Sequence, residues 1–267
     1  MNKYLKPQTY LRRAWRLYYE LFRYDAALIA ATEREKFARL GLDMDAGLRR
    51  LNALLEGRRP AFYWDQDSIH WLLFSALSVS GARFERILEM GTDDGSFTAL
   101  LAELFPDATI TTVDLPAGDP LVRRMTLYRG ESEEAHAAYL ARRASNLRRA
   151  NIRLVEANTF FLPGLLEPGF DAIWVDAGHL YPDVAWDVCN AYHLARPGGW
   201  VLIDDVVPGA GTHNDGYVSA HAAEMLDYIA SRAPIQPILL LKRRAAADYC
   251  FARSRKYVGC FVKPEGL

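Results

Sequence analysis

The pattern of apolar and polar positions changes near residue 83. Before it, apolar side chains recur every three or four residues, which is typical of amphipathic helices. The first of these stripes is aromatic and consists of Trp15, Tyr18, Tyr19 and Phe22. We predict a helical region over residues 1–66, whose aromatic stripe forms core, a lid over the substrate or a homodimer interface.

After residue 83, short apolar runs alternate with helical patterns. The strand-like runs are FERILEM, ATITTVD, IRLVEAN, FDAIWVD and WVLIDD. Such alternation indicates βαβ units and a parallel sheet covered by helices on both faces. Two later runs, PILLLK and YVGCFVK, are expected to pair as an antiparallel edge. We assign residues 67–267 to this α/β domain.

Composition limits the partners. With 267 residues, 51% hydrophobic and 24% charged positions and a net charge of −1, the chain resembles an ordinary globular protein. This balance favours neither nucleic acid nor an anionic membrane, and no apolar run approaches the roughly 20 residues of a membrane helix. Three widely spaced cysteines and a start without an apolar signal segment predict a reduced, cytoplasmic protein.

The turn after the first predicted strand indicates the kind of ligand. Ligands of open α/β sheets bind beyond the carboxyl ends of the strands. A dinucleotide-binding turn needs G-x-G-x-x-G, but Glu89 replaces the first glycine, and Gly91 and Gly95 are four residues apart. Carboxylates at Glu89, Asp93 and Asp94 would repel a pyrophosphate and suit a positively charged ligand. The alternative is a tight turn without a ligand.

A second acidic signal is Asp114, which ends the second predicted strand about 20 residues after the turn. An acidic residue there typically accepts hydrogen bonds from ribose hydroxyls, although a helix cap or an exposed turn is the alternative. A nucleoside with ribose, a cation and no phosphate fits both signals. S-adenosylmethionine is such a ligand.

With these features the sequence resembles the class I S-adenosylmethionine-dependent methyltransferases over roughly residues 67–263. The resemblance rests on five segments in family-like order and spacing, namely ILEMGTDDG, TTVDL, EANTF, FDAIWVDAGHLY and RPGGWVLIDD. It implies a doubly wound, Rossmann-like sheet of seven strands in the order 3-2-1-4-5-7-6, with strand 7 antiparallel. YVGCFVK would be that strand.

The resemblance also implies roles for single residues. Glu89 and Gly91 would flank the methionine part of the cofactor, and Asp114 would hold the ribose. Gly95 and Asp176 are further predicted cofactor-binding residues. Asn158 or Thr159 would lie by the adenine, where the family often has an aspartate.

Three further carboxylates follow neighbouring strands of this architecture. Asp176 ends strand 4, and Asp204 and Asp205 end strand 5, so strands about 4.8 Å apart bring them together beside the expected methyl group. Such a cluster is costly unless it is protonated or binds a cation, and oxygen ligands favour Mg²⁺. The alternative is that these aspartates are solvated or cap a loop.

The same cluster resembles the metal-dependent O-methyltransferases of the catechol, caffeoyl-CoA and antibiotic-sugar types. These enzymes place a lysine base or an aspartate near the position of His179. Because histidine titrates near neutrality, we predict His179 as the general base, with Asp176 as its catalytic partner. A hydrogen bond to a neighbouring loop is the alternative. His213, on a loop beside the same edge, is a predicted substrate contact.

The resulting hypothesis is an S-adenosylmethionine-dependent O-methyltransferase for a small molecule, assisted by Mg²⁺, with natural-product biosynthesis as one setting. The first alternative is a metal-independent N- or C-methyltransferase whose acidic cluster binds an amine. The second is a noncatalytic module that binds an adenosyl ligand. No nucleic-acid or membrane partner is expected.

Overall fold

The computed structural model describes residues 7–128, 132–208, 219–250 and 255–265. Within them, the strands are β1 (Arg86–Met90), β2 (Thr109–Asp114), β3 (Ile152–Glu156), β4 (Phe170–Val175), β5 (Ala195–Val206), β6 (Ile238–Leu241) and β7 (Tyr257–Val262). The helices are α1 (Pro7–Phe22), α2 (Ala26–Arg39), α3 (Met44–Leu55), α4 (Ile69–Ser78), α5 (Ser96–Leu104), α6 (Pro120–Tyr128), α7 (Glu133–Asn146), α8 (Leu162–Leu165), α9 (Asp183–Leu194), α10 (His221–Arg232) and α11 (Ala246–Tyr249).

The strands form one sheet in the order β3-β2-β1-β4-β5-β7-β6. The first five strands pair in parallel, whereas β7 is antiparallel to both β5 and β6. The order and the antiparallel strand predicted from the sequence are therefore confirmed. Because β1 and β4 lie in the middle, their carboxyl ends form the centre of the edge at which ligands of such sheets bind.

The central strands are mostly apolar because both faces are covered. Successive side chains point to opposite faces, so Ile87 packs with α4 and α5, whereas Leu88 packs with α9 and α10. In the same way, β4 gives Trp174 to the first cluster and Ile173 to the second. Burial on both faces fixes the register of these strands and hence the position of the residues at their ends.

Helix α2 covers the exposed edge of the sheet. Glu33 accepts a hydrogen bond from the backbone N–H of Leu241 at 3.1 Å, and Lys36 Nζ donates to the carbonyl of Leu239 at 2.8 Å. These side chains satisfy backbone groups of β6 that would otherwise form an unpaired edge. The N-terminal helices are thereby attached to the edge of the sheet that β6 forms.

The aromatic stripe on α1 does not form core, because Trp15, Tyr18 and Phe22 are exposed. Trp15 Nε1 donates to the carbonyl of Cys250 at 3.3 Å, which connects α1 to the segment before β7. The lid and the homodimer interface stay predictions. None of the helices among the described residues has the length and apolar character needed to cross a membrane.

Candidate active site

A cavity of about 470 Å³ opens at the carboxyl ends of β1, β2 and β4. Its volume is that of a typical small-molecule site. Its lining includes seven residues that the sequence singled out, namely Gly91, Asp93, Asp114, Asn158, Thr159, Asp176 and His179. The structure therefore brings residues predicted for the cofactor and residues predicted for proton transfer to one place.

Gly91 is required by the close approach of two strand ends. Its φ is +97°, and a Cβ built on it would lie 2.3 Å from the carbonyl oxygen of Asp176. Its N–H donates to the carbonyl of Val113 at 2.8 Å, and the N–H of Asp176 donates to the carbonyl of Met90 at 2.9 Å. The turn after β1 is thus fixed against the ends of β2 and β4, where any larger residue would displace the backbone.

Asp114 connects the end of β2 to this turn. Its Oδ2 accepts hydrogen bonds from the N–H groups of Thr92 and Asp93, both at 3.1 Å, and its Oδ1 accepts from Leu115 N at 2.7 Å. A carboxylate has about four lone-pair sites, so these three bonds leave capacity for one more donor from the cavity. The arrangement fits a ribose hydroxyl.

Arg143 on α7 lies behind Asp114, with Nη2 at 3.7 Å from Oδ2. Arg143 is 4% exposed, and neither of its terminal nitrogens has a hydrogen-bond partner among the described residues. Burial raises the pKa of Asp114, and the guanidinium opposes that rise. Arg143 was not predicted as a site residue, because its neighbour Arg142 on α7 faces solvent and the two arginines look alike in the sequence.

Two of the predicted cofactor residues do not line the cavity. Glu89 is 1% exposed, and its Oε2 accepts hydrogen bonds from the hydroxyls of Thr98 at 2.5 Å and Thr112 at 2.6 Å. Burial raises the pKa of Glu89 to about 8, although both hydroxyls oppose the rise. At neutral pH Glu89 is therefore protonated and buried behind the turn, which corrects its expected place beside the methionine part.

Gly95 is the second correction. It precedes α5 with a φ of +74°, and a Cβ there would meet Leu147 at 3.1 Å and Asn146 at 3.2 Å. It therefore allows α5 to pack against the end of α7 and does not line the cavity. Asp94 in the same turn accepts a hydrogen bond from Arg142 Nε at 3.0 Å. Of the carboxylates expected to attract a cation, Asp93 is the one in the cavity wall.

Asn158 and Thr159 line the cavity at the end of β3. Asn158 Oδ1 accepts a hydrogen bond from Phe160 N at 2.9 Å, and the carbonyl of Thr159 accepts one from Asn190 Nδ2, also at 2.9 Å. These bonds orient the segment by capping a short 3₁₀ turn and joining it to α9.

His179 and Asp176 form a pair in the cavity wall. His179 Nε2 is 3.6 Å from Asp176 Oδ1, and the two side chains are 31% and 32% exposed, respectively. The backbone between them is held by Asp187 on α9, whose Oδ2 accepts a hydrogen bond from Gly178 N at 3.0 Å. Sequence reasoning missed Asp187, although its spacing of one helical turn from Asp183 was visible.

The predicted magnesium site is not supported, because lysines already occupy the carboxylates. Lys242 Nζ donates to Asp204 Oδ2 and, at 2.6 Å, to Asp205 Oδ1. Lys256 Nζ donates to Asp205 Oδ2 at 2.5 Å. An ammonium has three donors and no acceptor, so this donor set repels a metal ion. Among the described residues, no group of three or more His, Cys, Asp or Glu side chains is arranged to hold one.

The charge states in this cluster follow from burial and from Lys242. Burial alone would raise the pKa of Asp204, but the ammonium of Lys242 lowers it to about 2. Burial and the charge of Asp204 raise the pKa of Asp176 well above its usual range. Asp204 Oδ1 is buried without a hydrogen-bond partner among the described residues.

The last of the predicted site residues, His213, lies outside the described residues. The lysines of the acidic cluster, in contrast, were not predicted. They flank β6 and β7 at one end of the antiparallel pair, where Lys242 N donates to the carbonyl of Lys256 at 2.9 Å. The signal in the sequence was that Lys242 directly follows one apolar run and Lys256 directly precedes the other, so that pairing of the two runs brings the lysines together.

Comparisons with known proteins agree with this geometry. Residues 88–206 match the family model of a methyltransferase domain. Cofactor-bound Rv0187 from MTB is similar to this chain at 20% identity and a TM-score of 0.50, over 84% of this chain and 90% of that one. A putative rRNA-methylase from Clostridium thermocellum is similar at 12% identity and a TM-score of 0.51, over 76% of this chain and 98% of that one. No curated protein matches the chain.

A third solved structure is similar over most of its length. The O-methyltransferase TomG from Streptomyces achromogenes, in complex with SAM, is 22% identical over 87% of this chain and 96% of that one, with a TM-score of 0.46. At these identities the structures show the fold alone. Residues 88–206 thus match a methyltransferase domain, and the chain shares the fold of these solved structures.

Proposed function

We propose that this protein transfers a methyl group from S-adenosylmethionine to a hydroxyl of a small molecule without a divalent metal ion. The observation that supports the proposal is the lining of one cavity. Asp114 and Asn158 line it together with the pair of His179 and Asp176. Bound S-adenosylmethionine supplies an electrophilic methyl group on a sulfonium.

On the cofactor side, Asp114 accepts a hydrogen bond from one ribose hydroxyl while its other lone pairs are held by backbone N–H groups. Asn158 and Thr159 lie by the adenine. The cavity wall suits a cation, because it contains the carboxylates of Asp93, Asp176 and Asp183 and, among its described residues, neither lysine nor arginine. This acidic wall takes over the role expected of Glu89.

On the acceptor side, His179 takes the proton of the hydroxyl as the oxygen attacks. Asp176 Oδ1, at 3.6 Å from Nε2, stabilises the imidazolium that forms. A positioned general base contributes about 10²–10⁴-fold. The reaction proceeds without magnesium, because Lys242 and Lys256 occupy the carboxylates of Asp204 and Asp205.

The second candidate is methyl transfer to an amine. The acidic cavity wall favours it, since a protonated amine would be drawn to the carboxylates of Asp176 and Asp183. Within this candidate His179 has the same task, removal of a proton before attack.

The test has a binding arm and a turnover arm. Calorimetry should show that S-adenosylhomocysteine binds at micromolar concentrations and NAD far more weakly; tighter binding of NAD would refute the cofactor assignment. Turnover should be sought with labelled S-adenosylmethionine in excess EDTA against panels of phenols, sugar hydroxyls and amines.

For the best acceptor, His179→Ala should reduce the rate about 10²–10⁴-fold at pH 7. The loss should shrink as the pH rises, because a hydroxyl ionises more readily in alkaline solution. His136→Ala is the matched control, since that histidine lies on α7 outside the cavity lining. Full activity of His179→Ala at pH 7 would show that another group removes the proton.

A further inference from the structure

We propose that Arg143 is a positioning residue for the cofactor, whose buried guanidinium lies behind the end of β2 and keeps Asp114 in the ionised form that accepts a ribose hydroxyl. The inference rests on the proposed place of the ribose at Asp114. It adds a residue that is absent from the described lining of the cavity and therefore acts through another side chain.

Helix α7 carries Arg143 to the back of the turn after β1. Asn146 Nδ2 donates to the carbonyl of Asp94 at 2.9 Å, which attaches the last turn of α7 to this turn. Tyr139 and Arg143 are buried residues of α7 and, being four positions apart, they share one face of the helix. Because Tyr139 reaches the cavity wall, Arg143 lies one helical turn further on, beside the same strand end.

The contact between Arg143 and Asp114 is an ion pair without a hydrogen bond. Arg143 Nη2 is 3.7 Å from Asp114 Oδ2, which is beyond hydrogen-bond distance. Both terminal nitrogens are buried and have no hydrogen-bond partner among the residues that the structure describes. The guanidinium therefore stabilises the charge of Asp114 but leaves the lone pairs of the carboxylate to backbone N–H groups and to a ligand. Because arginine is not deprotonated in proteins, this positive charge does not vary with pH.

The other ionisable groups around Asp114 supply no positive charge. They are Asp93 in the adjoining turn, Glu89 on β1, Tyr139 on α7 and Glu156 opposite Asp114 on β3. Burial raises the pKa of Asp114, and the guanidinium of Arg143 opposes that rise more than the backbone N–H donors do. Within the described part of the chain, Arg143 is therefore the cation of this group.

Loss of this cation would move the protonation of Asp114 to higher pH. An ionised carboxylate only accepts hydrogen bonds, whereas its protonated form loses part of that capacity and forms weaker bonds. Without the guanidinium the pKa of Asp114 rises further, so the affinity for a ribose should fall earlier as the pH is lowered. An arginine with a purely structural role would instead change the affinity by the same factor at every pH.

The experiment measures the affinity for 5′-methylthioadenosine by calorimetry from pH 5 to pH 8. This probe carries adenine and ribose without an amino-acid tail, so it does not titrate in this range. Relative to the parent, Arg143→Met should lose about tenfold more affinity between pH 8 and pH 5, which is the equivalent of one pKa unit. Arg143→Lys keeps the positive charge and should restore most of the parent's pH profile. Arg142→Met is the matched control and should keep that profile, because Arg142 precedes Arg143 on the same helix and its side chain is 57% exposed.

A second measurement needs no ligand. The carboxyl carbon of Asp114, labelled with ¹³C and identified by its absence from Asp114→Asn, should titrate at higher pH in Arg143→Met than in the parent. If Arg143→Met fails to fold, Arg143→Gln replaces it, since glutamine keeps an amide donor without the charge. An unshifted titration of this carbon, or a loss of affinity that is equal at every pH, would overturn the proposal.

The two proposals fail in different ways. If Asp114 does not hold the ribose, Asp114→Ala binds the probe as tightly as the parent does, and the cofactor assignment fails as well. If only the role of Arg143 is wrong, Asp114→Ala loses affinity while the pH profile of Arg143→Met matches that of the parent.

Discussion

Glu89 and Asp204 are both buried carboxylates near the carboxyl edge of the sheet, at 1% and 4% exposure, but they are held in opposite charge states. Glu89 is bonded to two threonine hydroxyls, and burial raises its pKa to about 8. Asp204 is bonded to Lys242, and although burial opposes ionisation, the ammonium lowers its pKa to about 2. Burial alone therefore does not decide the charge of a carboxylate; the partner does.

The two groups have opposite effects on stability as the pH changes. For Glu89, whose folded pKa is raised, the contribution is fully present below its ordinary value of 4.5 and is lost as the pH rises through about 8. For Asp204, whose folded pKa is lowered, the contribution is present above 3.8 and is lost as the pH falls through about 2.

The largest expected effect comes from removing the cation of Asp204. Lys242→Met should lower the free energy of unfolding by about 3–5 kcal/mol, the usual cost of leaving a buried charge without its partner. Urea denaturation at low metal concentration measures it. Lys256→Met should cost less, because its ammonium is more exposed and Asp205 keeps Lys242. Equal losses would mean that Lys242 has no special place in the cluster.

The next effect concerns Asp114, a third carboxylate that is partly exposed and faces the cavity. Asp114→Ala should weaken S-adenosylhomocysteine binding by about 1.5–3 kcal/mol, as expected when charge-assisted hydrogen bonds are lost. Calorimetry measures the change. Glu89→Gln serves as the control and should leave the affinity nearly unchanged, since Glu89 lies behind the turn. The reverse ranking would return Glu89 to the cofactor site.

Neutralising Asp204 should lower the free energy of unfolding by less than removing Lys242 does. Asp204→Asn keeps the shape and removes the charge, so we expect a loss of about 1.5–3 kcal/mol, the contribution of a hydrogen bond to a charged group. The loss is smaller than for Lys242→Met because Asp205 still pairs with the ammonium. It should vanish in strong acid, where Asp204 is protonated in the parent too. A variant as stable as the parent at pH 7 would contradict an ionised Asp204.

The smallest effect is expected for Glu89→Gln. Glutamine resembles a protonated glutamate, so at pH 5 the free energy of unfolding should change by less than about 1 kcal/mol. As the pH rises toward 8, the parent should lose stability relative to the variant, because its folded state must hold a proton that the unfolded chain releases. A growing disadvantage of the variant with rising pH would mean that Glu89 is ionised.

The contrast between Glu89 and Asp204 also shows which features could be predicted from the sequence. The strand order and the cavity residues Gly91 and Asp114 followed from local signals, namely the period of apolar positions and a turn at a strand end. The burial of Glu89 was foreseeable as well, since it stands inside a strand predicted to be covered on both faces.

The partners of the acidic cluster were not foreseeable in this way. Lys242 reaches Asp204 across 38 residues, and Lys256 reaches Asp205 across 51. Their meeting depends on the return of β7 between β5 and β6 and on the left-handed backbone of Asp205. No periodic pattern encodes such a contact, so the carboxylates suggested a metal ion where the fold supplies lysine.

A crystal structure with S-adenosylhomocysteine and Mn²⁺ tests the account most directly. We expect one ribose hydroxyl to bind Asp114, with His179 and Asp176 facing the sulfur side of the cavity. Lys242 Nζ should remain between Asp204 and Asp205, without an anomalous manganese peak beside them. A manganese ion bound to these aspartates, with Lys242 displaced, would contradict the claim that this cluster carries its own cation.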